Sequence, residues 1–121
     1  MICVCPISNS FLKTRMVNLY KLESNGIPWC ISTDGLATGR TFSLLDQIRC
    51  AMKEYPDIPL ERYWSSITTV PAFYYGGELY TGRIENGVRS SFLLTDYAGN
   101  DVHELIRNLI EGKIGFKPIR F

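Results

Sequence analysis

Gly26-Ile27-Pro28-Trp29-Cys30-Ile31-Ser32-Thr33-Asp34-Gly35 is the stretch that decides the fold of this chain. Ile27 to Ile31 is a short, continuously apolar run ending in a polar loop with glycine, the pattern of a buried strand and its exit. Toward the amino end, Ile2-Cys3-Val4-Cys5 is a second such run, stopped by Pro6, with Ser8-Asn9-Ser10 as its expected exit loop. Between the two, Met16 to Ser24 predicts a short helix with Met16, Leu19, Tyr20 and Leu22 near one face, and Asn25-Gly26 is its stop. Strand, helix, strand is a βαβ-like unit, the building block of a parallel sheet. In such a unit the loops leaving the carboxyl ends of both strands share one rim, which sets Ser8 and Asn9 beside Asp34. A carboxylate on that rim is placed to hold a metal or to move a proton.

Toward the carboxyl end, Leu44, Ile48, Ala51, Met52 and Tyr55 recur at helical spacing, with Ser43 as the cap and Pro56 as the close. A second helix is expected from Pro59, carrying Leu60, Tyr63, Trp64 and Ile67. Arg49 and Lys53, like charges four residues apart, are expected to face water. From Pro71 the sequence changes to glycine-punctuated runs, with a tight turn at Asn86-Gly87 and a strand at Ser91-Phe92-Leu93-Leu94. Asn100-Asp101 caps a last helix to Glu111, with Val102, Leu105, Ile106, Leu109 and Ile110 as its buried stripe, and Phe116 to Phe121 is a final strand. The aromatic cluster Phe73-Tyr74-Tyr75 with Tyr80 reads as core packing. Residues 1–76 thus form a barrel-like segment, and 77–121 a β-rich extension with a terminal helix packed in the same domain.

The chain has 121 residues, a formal net charge of +1 and 45% hydrophobic residues, which fits a domain with a sizeable core. Interspersed charges offer no basic stripe for nucleic acid. No apolar stretch approaches the ~20 residues that span a bilayer, and the first residues lack the pattern of a secretory signal, so a soluble, cytoplasmic protein is expected. Cys3, Cys5, Cys30 and Cys50 are each flanked by apolar residues and are expected as buried thiols; Cys3 and Cys5, two apart in a strand, are poorly placed to bridge each other. Thr38-Gly39 lacks the Gly-Lys-Ser/Thr of a phosphate loop and reads as a plain loop.

The order of motifs resembles the carboxyl-terminal part of the metal-dependent amidohydrolase superfamily, in the branch of chlorohydrolases and cytosine, guanine and related deaminases. Cys5-Pro6-Ile7-Ser8-Asn9 is similar to the segment that follows barrel strand seven in that branch, and Gly26-Ile27 through Thr33-Asp34-Gly35 to the passage through strand eight. Ser43 to Arg49, Thr68 to Gly76 and Gly82 to Gly87 continue the likeness, with Val70 standing where an Asn is expected and Ser90-Ser91 where an Ala-Asp is expected. The resemblance implies an α/β fold containing a partial (β/α)8 TIM-barrel-like segment, strands seven and eight with their following helices, plus short β elements and a helix. It also implies that Asp34 matches the aspartate that contacts a zinc or iron ion and takes the proton of the hydrolytic water, for cleavage of C–N or C–Cl bonds in cyclic substrates. Ser8 and Asn9 are the matching candidates for orienting that loop or touching substrate.

The histidines of the family metal centre have no counterpart here, since His103 falls in the terminal helix. The expectation is therefore a truncated or fragmentary amidohydrolase-like chain, inactive and metal-free by itself, completed by a complementing hydrolase segment. The alternative is a non-catalytic module that closes its open sheet edges as a dimer or other homo-oligomer.

Overall fold

A computed structural model describes residues 1–76, 82–87 and 91–120. Strands β1 (Ile2–Val4) and β2 (Trp29–Ile31) pair in parallel, in the register Ile2↔Trp29, Cys3↔Cys30 and Val4↔Ile31. Between them run helices α1 (Pro6–Phe11) and α2 (Leu19–Ser24), and after β2 come α3 (Leu36–Gly39), α4 (Leu44–Glu54), α5 (Leu60–Ile67) and α6 (Thr69–Tyr75). Strand β3 (Ser91–Leu94), helix α7 (Val102–Glu111) and strand β4 (Lys117–Arg120) complete the order, with β3 and β4 forming a separate antiparallel pair. This is an α/β fold with one small parallel and one small antiparallel sheet, and its amino-terminal βαβ unit is consistent with a partial barrel-like segment.

The local signals explain most boundaries. Gly26, at φ +63°, ends α2: its N–H reaches the Glu23 carbonyl at 3.0 Å while the Ile27 N–H reaches Leu22 at 2.9 Å, a Schellman stop that needs a residue tolerating the left-handed region. Asn18 begins that helix by accepting from the Lys21 N–H at 3.0 Å, so it starts three residues later than the apolar spacing from Met16 predicts. Ser43 caps α4 through the Asp46 N–H at 3.2 Å, and Asp101 caps α7 through the N–H groups of His103 and Glu104.

Several expectations are corrected. The segment Ser8-Asn9-Ser10 is helix, because Pro6 does two things at once: it stops β1 and supplies the fixed φ that suits a first helical turn. Thr38-Gly39 closes the short helix α3 rather than lying in a loop. Thr69–Tyr75 is also helical, with Pro71 in its first turn where a missing N–H costs nothing. Phe73 and Tyr75 on α6 are exposed, not packed in the core, and Tyr80 lies outside the described residues. Arg49 does not simply face water; its Nε donates to the Ile110 carbonyl and its Nη1 meets Asp46, tying α4 to α7. Val102, at 64% exposure, is excluded from the α7 stripe, which is carried by Ile106, Leu109 and Ile110. Gly87 sits at φ +84°, as a turn at Asn86-Gly87 requires, but the runs flanking that turn at 77–81 and 88–90 lie outside the described residues.

The core gathers on one face of the β1–β2 pair. Val4, Trp29 and Ile31 pack there with Leu19, Leu22, Ile48, Ala51 and Tyr63, and Ile106 and Ile110 of α7 join the same cluster. Trp29 and Tyr63 meet edge to face with ring centroids 5.9 Å apart. Trp29 is fully buried, so its indole N–H needs a partner, and Glu23 provides it at 2.6 Å. The same carboxylate receives Arg62 from α5, with Nε 3.0 Å from both oxygens and Nη2 at 2.8 Å. One acidic side chain on α2 therefore joins β2 to α5.

Arg62 holds the Glu23 carboxyl below the ordinary range; partial burial opposes that shift and the Trp29 indole N–H reinforces it. With a folded-state pKa below the unfolded one, this contribution is fully present above the ordinary Glu value and is lost as pH falls through the lowered value. Glu23→Ala leaves the indole N–H unsatisfied and should cost about 1–2 kcal/mol at neutral pH, after allowance for the half-exposed guanidinium. Urea unfolding at pH 7 and at pH 3 checks this, with the difference between wild type and variant shrinking at the lower pH.

Candidate functional site

The parallel pairing of β1 and β2 points both carboxyl ends to one rim. From β1 the chain turns directly into α1, and Ser8, one turn in, is buried; from β2 it passes through Ser32 and Thr33 to Asp34. Asp34 stands at φ +58°, a left-handed conformation that Asp tolerates better than most residues, and this turn aims its carboxylate back at α1. The Ser8 hydroxyl donates to Asp34 Oδ2 at 2.8 Å, and the Thr38 hydroxyl of α3 donates to the same oxygen at 2.9 Å. Those two bonds, from residues 26 positions before and four after, fix the carboxylate.

The hydrogen bond from Ser8, then the Gly35 backbone N–H, then Thr38 hold the Asp34 carboxyl below its ordinary range. Asp34 is thus an ionised acceptor at neutral pH. Cys5, at the end of β1, is pushed the other way: burial raises its thiol, with Cys3 and the Asp34 charge adding to the effect. It stays protonated beside the carboxylate.

The loop carrying Asp34 is held from behind. A Cβ at Gly39 would collide with the Thr33 carbonyl oxygen, so only glycine allows α3 to approach the end of β2 this closely. Arg40, at φ +57°, ends α3 and lays its guanidinium over the Phe11 ring of α1 at 4.4 Å. Gln47 of α4 is fully buried beneath the rim, where its Oε1 accepts the Ile7 N–H at the start of α1 at 2.9 Å. Its Nε2 has no hydrogen-bond partner among the described residues.

Of the residues singled out in the sequence, Asp34 and Ser8 are in direct contact. Asn9 is not; its Nδ2 donates to the Thr14 hydroxyl at 3.0 Å, bracing the end of α1. His103 is exposed on α7 and pairs through Nδ1 with Glu61 of α5. Thr38, Gly39, Arg40 and Gln47 were not anticipated as parts of the site. Thr38 alone had a sequence signal, a hydroxyl one helical turn after Asp34.

A zinc or iron centre of the kind the resemblance implies needs about four donors drawn from imidazole, thiolate and carboxylate. Asp34 supplies one carboxylate, and one of its oxygens already accepts two hydroxyl protons. Among the described residues no three of His, Cys, Asp and Glu are grouped so as to hold a metal ion. This donor set by itself does not fit such an ion. Among the same residues no helix is long and apolar enough to cross a membrane.

With a carboxylate at the rim of a parallel βαβ unit, the class of protein follows: the chain belongs to the amidohydrolase family, whose model matches residues 1–117. It is similar to the aminodeoxyfutalosine deaminase of a Nitratiruptor species, with 34% identity over 53 residues, a match covering 44% of this chain and 13% of that protein. No solved structure shows significant similarity.

Two outcomes test the site. Ser8→Ala removes the largest influence on the Asp34 carboxyl, so its pKa should rise toward the ordinary Asp value, read directly by carboxyl carbon NMR titration; because the folded pKa is the lower one, any stability linked to Asp34 is present above the ordinary Asp value and lost as pH falls through the lowered one. Gly39→Ala should destabilise by about 1–3 kcal/mol in thermal unfolding, because the clash is with backbone rather than with a yielding side chain.

Proposed function

We propose that this chain is the sector of a metal-dependent amidohydrolase that bears barrel strands seven and eight, and that Asp34 is its proton-transfer residue. The reaction is hydrolysis or deamination of a C–N bond, or hydrolysis of a C–Cl bond, in a cyclic substrate. Deamination is favoured by the similarity to a protein whose name describes a deaminase. The observation that carries the reading is the ionised Asp34 carboxylate held by Ser8 and Thr38 at the carboxyl ends of two parallel strands.

Each residue has a separate task. Asp34 accepts a proton from the attacking water and returns it toward the departing amine, with Oδ1 as the oxygen left by the two hydroxyl bonds to Oδ2. Ser8 and Thr38 are positioning residues, fixing the plane of that carboxylate. Asn9 braces the rim as a candidate for substrate contact.

By this reading zinc or iron ligation draws its imidazoles from residues outside those described, delivered by a complementing, histidine-bearing hydrolase segment. The chain alone is inactive. A second reading, a homo-oligomeric module without catalysis, is supported by the exposed aromatic rings of α6, with Phe73 at 81% exposure.

Co-expression with a histidine-bearing amidohydrolase segment, followed by metal analysis of the isolated complex and a deaminase assay on cyclic amines, separates the two. The expected result is metal and turnover only in the complex, with Asp34→Asn lowering kcat by about 10²–10⁴. Turnover by the chain alone, or an Asp34→Asn complex of undiminished kcat, would overturn the proposal. A metal-free homo-oligomer by native mass spectrometry, indifferent to the added segment, would favour the second reading.

A further inference from the structure

The face of the β1–β2 pair that turns away from the helices carries sulfur. Side chains alternate along each strand, so Cys3 and Cys30 point opposite to the core residues Val4, Trp29 and Ile31. Register makes Cys3 and Cys30 direct neighbours across the pair. Cys3 is exposed, contrary to the buried thiol expected from its apolar flanks, whereas Cys30 is 3% exposed. Cys3 lies close enough to both Cys30 and Cys5 to raise each of those thiols.

We propose that Cys3 and Cys30 form an oxidisable thiol pair that a hydroperoxide converts to a cross-strand disulfide. Neighbouring strands lie about 4.8 Å apart, inside the range of about 4.4–6.8 Å between the α-carbons of bridged cysteines. Cys5 also lies near Cys3, but two residues along one strand separate their α-carbons by about 6.6 Å, at the far end of that range, against about 4.8 Å for the in-register pair. Exposure lets Cys3 react first: its thiol gives up a proton, the thiolate attacks one peroxide oxygen, the O–O bond breaks, and Cys3 becomes a sulfenic acid as the other oxygen takes up that proton and leaves as water. Cys30 then attacks the Cys3 sulfur, the S–O bond breaks, and the Cys30 proton leaves with that hydroxyl as a second water. Two thiols and one peroxide thus give one disulfide and two waters.

The order of events follows from the surroundings. Burial, followed by the influence of Cys3, pushes the Cys30 thiol up to about 12, so Cys30 keeps its proton and does not react with peroxide first. Its later attack on the Cys3 sulfur relies on the closeness of the in-register pair, not on its acidity. The bridge would clamp the two strands whose carboxyl ends carry Ser8 and Asp34.

The test treats the full chain with one equivalent of hydrogen peroxide, blocks remaining thiols with N-ethylmaleimide, and maps tryptic peptides by mass spectrometry. The expected product joins residues 1–13 to residues 22–40, with fragmentation locating the link at Cys3, and dithiothreitol dissolves it. Cys3→Ser should abolish the link, whereas Cys5→Ser and Cys50→Ser should retain it. In Cys30→Ser given a second equivalent of peroxide, Cys3 should instead advance from the sulfenic to the sulfinic acid. A linked peptide that fragments at Cys5, or Cys3 overoxidised in the unsubstituted chain while Cys30 is recovered blocked by maleimide, would overturn the proposal. Because the location of the link is read in the unsubstituted chain, the outcome stands even if a variant fails to fold.

Discussion

Everything at the candidate site depends on the parallel alignment of two three-residue strands. Backbone bonds from the Ile2 N–H to Pro28 at 2.8 Å and from the Ser32 N–H to Val4 at 2.9 Å bracket that alignment. A slip of one residue would send Trp29 and Ile31 to the opposite face and carry Asp34 away from Ser8. So short a ladder cannot resist such a slip by its own hydrogen bonds. The resistance comes from side chains, chiefly Trp29, which is enclosed by the helices and anchored through Glu23 to Arg62.

The carboxylate that this alignment presents is polarised by its supports. Two hydroxyls and a backbone N–H stabilise its charge, which favours an ionised acceptor but weakens it as a base. A general base works best with a pKa near the working pH, so this arrangement is tuned for holding and orienting charge until other groups change its surroundings. A nearby charged donor or exclusion of water would alter that balance. Among the described residues no set of metal donors is assembled around Asp34.

The sheet is dressed unequally on its two faces. One face is packed with helices and forms the core, whereas the other carries thiols, one of them exposed. In a closed barrel the second face would be interior, filled by layers of side chains. Here the same alternation that buries Trp29 leaves Cys3 open to solvent.

The sequence by itself determined the βαβ order, the rim position of Asp34, the caps at Ser43 and Asp101, and the amphipathic helices, because each is written in local periodicity or in a residue with a strong conformational preference. The family likeness was legible for the same reason, in short motifs spaced along the chain. Only the tertiary structure decided that Ser8 rather than Asn9 meets Asp34, that Thr38 shares the same oxygen, and that Gly39 and Gln47 support the loop from behind. Those contacts join residues up to 40 positions apart, and the direction of each side chain was set by helix α1 beginning at Pro6, by the left-handed turn at Asp34 and by packing of α3 and α4 beneath them. Local preference fixes where an element starts and stops; only the close approach of separate elements fixes which of its side chains reaches a given atom.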